Sequence, residues 1–213
     1  MKSITRQKSF DEIKEQLADS DRLFIVGCGT CATMTKTGGI DQVLEMKDRI
    51  QELGKWVSGW TVIPTACDEM TEVSMKENRG AIQNASRILA MTCALGVHRM
   101  SLYIEHPVIP VLDTLFIAVE DSPGYFREVC AQCGQCLLGE TAGICPITTC
   151  HKGLVNGPCG GTNNGKCEID KEKDCAWTVI YERLRDQNRL DLMRKHHAPR
   201  NFNAVPRPKI VKF

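Results

Sequence analysis

The fold is decided by residues 22–31, RLFIVGCGTC, a short apolar run that leads directly into two cysteines. The run from Arg22 to Gly27 is rich in β-branched and apolar side chains and ends at a glycine, which predicts a buried strand. Glycines flank the first cysteine and allow the backbone to turn tightly there. Cys28 and Cys31, spaced as CxxC, therefore follow the carboxyl end of this strand.

Strands and helices alternate outward from this stretch. Further strands are predicted at Val57–Thr65, Arg87–Thr92 and Thr114–Val119. Helices are predicted at Phe10–Ala18, after Ser9 as N-cap, at Asp41–Leu53, at 69–84 with an interruption at Gly80, and at Val97–Glu105. This alternation is typical of βαβ units. It predicts an α/β domain over residues 1–124, with a small flavodoxin-like or Rossmann-like parallel sheet.

The amino-acid composition of the chain changes after this domain. Residues 125–176 carry eight cysteines and many glycines without a long apolar run, so we expect an irregular cysteine-rich module held together by metal. Residues 177–213 are expected to form a helix, Trp177–Arg194, and a basic, proline-containing tail. The last four residues, Ile210 to Phe213, are apolar enough to anchor on another protein.

Charge and hydropathy exclude several classes of function. The 213 residues include 27 Lys and Arg against 26 Asp and Glu, so the net charge of +1 gives no reason to expect nucleic acid. The amino terminus lacks the apolar core of a signal peptide, and the longest apolar stretch, Pro107–Val119, is too short to span a bilayer. We therefore expect a cytoplasmic chain, in which twelve cysteines indicate metal or redox chemistry rather than a disulfide framework.

The first four cysteines follow three successive predicted strands. Cys28 and Cys31 follow the first strand, Cys67 the second and Cys93 the third. Parallel strands end at the same edge of their sheet, so the four thiols are expected to meet and to bind one metal centre, a [4Fe–4S] cluster. Two alternatives remain: Cys67 or Cys93 is a core residue, or the CxxC is a thioredoxin-like dithiol.

The other eight cysteines match two four-thiolate sites. The CxxCxxC spacing of the first three is that of bacterial ferredoxins, although the next cysteine follows after eight residues rather than three. Two clusters satisfy the eight thiols, and so does one cluster with one zinc ion, because structural zinc also accepts four thiolates. His151, beside one of them, is interpreted as a surface residue. The eight are Cys130, Cys133, Cys136, Cys145, Cys150, Cys159, Cys167 and Cys175.

The sequence contains no convincing catalytic acid–base pair and no phosphate-binding glycine motif after a strand. Its motifs instead resemble those of a known family. Residues 26–33, VGCGTCAT, together with the CxxCxxC and the later GPCGG at 157–161, resemble the small subunit of methylenetetrahydrofolate reductase in acetogens. That family is also met as the carboxyl-terminal domain of longer reductases and is sometimes described as a zinc-finger protein.

The resemblance implies a non-catalytic iron–sulfur subunit with two to three [4Fe–4S] clusters, zinc at one site being the alternative, and all twelve cysteines as ligands. Its partner would be the flavin-containing catalytic subunit that reduces methylene-tetrahydrofolate to methyl-tetrahydrofolate. That subunit is a barrel of about 250 residues, so flavin and folate are expected on another polypeptide. The electron donor would be ferredoxin or a further electron-transfer subunit. Rival interpretations are a structural zinc scaffold of the same complex and a corrinoid-dependent or hydrogenase-like accessory protein.

Overall fold

A computed structural model of the protein describes residues 2–204. The strands are β1 (Lys2–Gln7), β2 (Arg22–Cys28), β3 (Trp56–Ile63), β4 (Arg87–Met91), β5 (Val108–Pro110), β6 (Leu112–Ser122) and β7 (Tyr125–Glu128). The helices are α1 (Phe10–Gln16), α2 (Cys31–Met34), α3 (Ile40–Glu52), α4 (Met70–Glu77), α5 (Arg79–Gln83), α6 (Ala94–Ser101), α7 (Pro146–Thr149) and α8 (Ala176–Asp186). The chain divides into two compact units, an amino-terminal unit up to Phe126 and a cysteine-rich unit from Arg127.

The main sheet has four parallel strands in the order β3-β2-β4-β5, which confirms the predicted parallel sheet. Side chains of β2 alternate between two helical layers. Leu23 and Ile25 pack with the buried faces of α1 and α3, whereas Phe24 and Val26 pack with residues of α4, α5 and α6. The sheet is therefore buried on both faces, and this burial explains why its central strand is a continuous apolar run.

A second, antiparallel sheet corrects one prediction. Thr114–Val119 was expected to be the fourth strand of the parallel sheet, but it lies within β6, the centre of the order β1-β6-β7. The fourth parallel strand is the short β5. β1 could not be recognised as a strand from its residues, because they are largely polar. Its pairing with β6 is supported by ion pairs from Lys2 to Glu120 and from Lys8 to Asp113.

Three predicted helices have different bounds in the structure. The helix expected over 69–84 is divided into α4 and α5 at Asn78, whereas Gly80 lies within α5. The helix expected from Val97 begins three residues earlier, directly after Cys93. The helix expected over Trp177–Arg194 ends at Asp186, because Asn188 adopts a left-handed φ of 55°, and a short 3-10 helix follows at Leu190–Arg194.

The cysteine-rich unit has a small apolar core. Trp177, Ile180 and Leu184 of α8 are its buried residues, and Ile144 and Leu192 are among the side chains packed against them. None of the helices within residues 2–204 has the length and apolar character needed to cross a membrane. The four residues predicted to anchor on another protein, 210–213, lie outside the described part of the chain.

Candidate metal centres

The strand-end cysteines (Cys28, Cys31, Cys67 and Cys93) lie at one edge of the parallel sheet. Cys28 is the last residue of β2, Cys67 lies four residues beyond β3, and Cys93 is the N-cap of α6, two residues beyond β4. β3 pairs with one side of β2, and β4 pairs with the other side. The strand order therefore reverses between β2 and β4. Ligands of doubly wound sheets bind at such a point.

Three of these thiols are close enough to affect one another. Partial burial raises the pKa of the Cys67 thiol, and the thiolate charges of Cys93 and Cys28 raise it further. Cys28 and Cys93 are buried, whereas Cys67 is exposed to solvent. Cys31, the first residue of α2, follows Cys28 in the same turn. The structure therefore brings three of the four predicted ligands together at the sheet edge.

The turn that carries Cys28 is closely packed. The Cys28 N–H donates to the carbonyl of Gly38 at 3.0 Å, and the Gly29 N–H donates to the carbonyl of Ile63 at 2.8 Å. A Cβ on Gly38 would collide with the carbonyl oxygen of Met91. The hydroxyl of Thr30 lies 3.2 Å from the Cys28 sulfur and can donate to a thiolate there. These contacts fix the Cys28 loop against both neighbouring strands.

The loop cysteines (Cys130, Cys133, Cys136 and Cys145) begin with a turn that is suited to metal thiolates. Gln132 and Gly134 adopt left-handed φ values of 51° and 74°. The Gln132 N–H donates to the Cys130 sulfur at 3.3 Å. Backbone N–H groups that point at sulfur stabilise a thiolate and tune a bound metal. Cys145 is the N-cap of α7.

The remaining four, the cavity cysteines, line one small cavity of about 20 Å³ in the cysteine-rich unit. They are Cys150, Cys159, Cys167 and Cys175. Thr162 and Trp177 also line this cavity. The grouping follows from the structure and not from the sequence, because the four residues are eight or nine positions apart and include no CxxC pair that would mark a shared site.

Hydrogen bonds favour the thiolate form of Cys175. Partial burial raises the pKa of this thiol, and hydrogen bonds from the N–H and hydroxyl groups of Thr178 lower it. The Trp177 N–H and the Thr162 hydroxyl act in the same direction, and the resulting pKa lies below its usual value. Cys175 is the N-cap of α8, where the first N–H groups of the helix need acceptors.

Polar side chains lie close to two other cavity cysteines, and no sequence motif marks Lys152 or Glu168 among them. The Cys159 thiol donates to Glu168 Oε2 at 3.1 Å, and Lys152 Nζ donates to the same oxygen at 2.5 Å. These bonds, that from Lys152 first, lower the pKa of Glu168. His151, interpreted as a surface residue, has Nδ1 3.7 Å from the Cys167 sulfur. Its position next to Cys150 was the only signal in the sequence.

All twelve cysteines are free thiols. Within residues 2–204, no three Cys, His, Asp or Glu side chains already stand at the spacing of a bound metal ion. The thiols of each group must therefore move closer together to bind metal. The chemistry of the donors nevertheless fits soft metals, since every predicted ligand is a cysteine and several sulfurs accept hydrogen bonds.

Comparison with known proteins relates part of the chain to a family. Residues 109–203 match the family described as "Methylene-tetrahydrofolate reductase C terminal". The matched range is just under half of the chain and contains the loop cysteines and the cavity cysteines. No match was found to a curated protein or to a solved structure. This part of the chain is thus similar to the carboxyl-terminal region of methylene-tetrahydrofolate reductases.

Proposed function

We propose that this chain is an iron–sulfur electron-transfer subunit that delivers electrons to the flavin of a methylenetetrahydrofolate reductase catalytic subunit. The family match of residues 109–203 supports the link to the reductase. The observation that carries the electron-transfer role is the meeting of Cys28, Cys67 and Cys93 at the carboxyl edge of the parallel sheet. The donor we propose is ferredoxin or a further electron-transfer subunit, and the setting is a reducing cytoplasm, where cysteines stay thiols.

The amino-terminal unit supports this role through its topology. The strands of its main sheet lie in the order second, first, third, fourth along the chain, and we infer a flavodoxin-like arrangement from that order. Four thiolates from three loops of such a sheet suit a [4Fe–4S] cluster, which accepts and releases single electrons when bound. Cys28 and Cys93 would hold it from the buried side. Cys67 is exposed and would mark the side from which electrons enter or leave.

The loop cysteines would hold a second cluster. Their CxxCxxC spacing and the N–H···S bond at Cys130 fit such a ligand set. Two clusters on one chain suit a relay, since one can face the donor and the other the flavin. The role of this chain's own residues is to keep the thiolates in place, to exclude water from Cys28 and Cys93, and to donate hydrogen bonds to sulfur.

Rapid mixing tests this function. The complex of the full chain with its flavin subunit is mixed anaerobically with reduced ferredoxin, and flavin absorbance is followed. Cys67→Ser and Cys133→Ser should each slow flavin reduction at least tenfold, and Cys67→Ser should also remove about four iron atoms per chain. Gly80→Ala, a change in α5 with open space around it, serves as the control and should behave as the wild type.

Two outcomes contradict the proposal. If the flavin subunit alone accepts electrons from ferredoxin as fast as the complex does, the chain is no relay, and a structural scaffold becomes the better description. If Cys67→Ser leaves the iron content and the visible spectrum unchanged, Cys67 is no cluster ligand.

A further inference from the structure

We propose that the alternating threonines Thr33, Thr35 and Thr37 are positioning residues, which hold the backbone of the CxxC turn so that both of its thiols can reach one metal centre. The inference rests on the proposed function for that metal centre, and on the contacts of the turn for everything else. The three residues belong to the stretch TMTKT at 33–37, which begins two positions after Cys31. They bind no metal themselves and act through Cys28 and Cys31.

The first two threonines each donate to the backbone carbonyl of one cysteine. The Thr33 hydroxyl donates to the Cys28 carbonyl at 2.7 Å, and the Thr35 hydroxyl donates to the Cys31 carbonyl at 3.0 Å. The backbone N–H of Thr35 donates to the same Cys31 carbonyl, also at 3.0 Å. When the backbone of a cysteine is fixed, its sulfur moves mainly by rotation about χ1. Metal binding at this turn therefore has to reorient side chains and not the chain itself.

The third threonine anchors the turn on β1. The Thr37 hydroxyl lies 2.6 Å from the hydroxyl of Thr5 and 2.9 Å from that of Thr35. The side-chain amide of Gln7, at the end of β1, donates to the Thr37 carbonyl at 2.9 Å. Thr5 and Thr37 are buried, so a hydroxyl left there without a partner would be costly. The CxxC turn is thereby attached to the antiparallel sheet as well as to the parallel one.

The loop that carries the threonines also holds Cys28 by its N–H. This N–H donates to the carbonyl of Gly38 at 3.0 Å, directly after the anchored threonine. Lys36 adopts a left-handed φ of 53°, and the hydroxyls of the threonines on either side of it are 2.9 Å apart. The N–H and the carbonyl of Cys28 are thus both bonded to one loop, whose own position is fixed by β1.

Threonine hydroxyls bond the backbone beside the other two strand-end cysteines as well. Thr71 donates to the carbonyl of Ala66, the residue before Cys67, at 2.8 Å. Thr92 donates to the Cys93 carbonyl at 3.1 Å, and both threonines are completely buried. At each of the three turns a hydroxyl therefore bonds the carbonyl of a cysteine or of the residue before it. Hydrogen bonds that support ligands in this way orient them for metal binding.

Alkylation of metal-free protein tests the positioning role. Cys28 is buried, so iodoacetamide can reach it only when its turn opens. Thr33 is exposed, and Thr33→Val is therefore expected to fold. This variant should alkylate Cys28 about fivefold faster than the wild type, the change in opening that corresponds to the loss of one ordinary hydrogen bond. Thr33→Ser keeps the hydroxyl and should react as the wild type does.

The other thiols of the sheet edge separate positioning from a general contribution to stability. Cys67 and Cys93 are measured in the same digest and should keep their wild-type rates. Ser86→Ala is the matched control, because it removes a hydroxyl that donates to a carbonyl at the opposite end of β2, at 2.8 Å. If Thr33→Val accelerates all of these thiols equally, or leaves the Cys28 rate unchanged, the inference is overturned.

A second variant covers the case in which Thr33→Val does not fold. Thr35→Val removes the side-chain bond to the Cys31 carbonyl and should accelerate alkylation of Cys31 in the same selective way. An unchanged Cys31 rate in this variant would count against the inference just as directly.

Iron release from the loaded chain connects the threonines to the metal centre. A chelator should remove about four iron atoms per chain from Thr33→Val faster than from the wild type, and the remaining iron at the wild-type rate. Equal release from both proteins would overturn the positioning role. Wild-type protein without iron would refute the proposed function, whereas the alkylation of metal-free protein would still decide whether the threonines hold the turn. The two failures are therefore distinguishable.

Discussion

Cys67 is the residue at which the environment of the strand-end cysteines can be measured directly. Its thiol is exposed, unlike those of Cys28 and Cys93, and yet its pKa is raised. Partial burial is the larger cause, and the neighbouring thiolates are the next. The raised pKa of the accessible Cys67 thiol reports that Cys28 and Cys93 are close to it, because like charges at short range disfavour ionisation.

We predict that Cys93→Ser lowers the pKa of Cys67 in metal-free protein. The substitution removes one nearby negative charge, so the Cys67 thiolate forms at lower pH and alkylation at a fixed neutral pH becomes faster. The remaining elevation comes from burial and should persist. The measurement is the pH profile of iodoacetamide modification of the Cys67 peptide. Cys159→Ser, in the other unit, is the control. An unchanged profile in Cys93→Ser would show that the two thiols are apart.

The packing beside the Cys28 loop requires a glycine at position 38. The turn between α2 and α3 passes so close to β4 that Gly38 has no room for a side chain. The contact of Gly38 with β4 and the hydrogen bond from Cys28 to Gly38 join this turn to both β2 and β4, beside the strand-end cysteines. Gly80 in α5 has open space around it and offers a matched comparison.

We predict opposite effects of alanine at these two glycines. Gly38→Ala should destabilise the amino-terminal unit by about 1–3 kcal/mol, because a methyl group has to be forced against the Met91 carbonyl. Gly80→Ala should stabilise it by about 0.5–1 kcal/mol, since alanine loses less backbone entropy in a helix. Urea unfolding followed by circular dichroism gives both values. Equal stability of the two variants would contradict the packing described for Gly38.

An element could be predicted from the sequence where its own residues determine it, and could not where distant tertiary contacts do. The strands of the parallel sheet are apolar on both faces and could be recognised from residues alone, as could Ser9, whose side chain caps α1 as predicted. β1 could not, because its pairing with β6 involves residues more than a hundred positions apart. The strand-end cysteines could be grouped because parallel strands end together. The cavity cysteines could not, since an irregular chain with a small core brings them together only through tertiary contacts.

The two units of the whole molecule differ in what holds them together. The amino-terminal unit contains two large apolar clusters on either side of its sheet. The cysteine-rich unit contains one small cluster around α8. Burial of apolar area drives folding, so we expect the first unit to fold by itself and the second to require further binding energy.

We predict that metal removal unfolds only the cysteine-rich unit. Chelation under reducing conditions should make residues after Arg127 sensitive to protease and leave a resistant fragment that ends near Phe126. Mass spectrometry of a brief digest identifies the fragment, and protein carried through the same steps without chelator is the control. Resistance of the cysteine-rich unit in fully metal-free protein would show that its core suffices for folding.

The buried Trp177 gives the cysteine-rich unit a fluorescent reporter of its own. The three tryptophans are Trp56, Trp60 and Trp177, and the first two are exposed on β3. Trp177 is buried, contributes to the wall of the four-cysteine cavity and donates its indole N–H to Leu154. Opening of that cavity would bring water to this indole and shift its emission to longer wavelength. In a chain with Trp56 and Trp60 changed to Phe, the emission colour would report the state of this unit in real time.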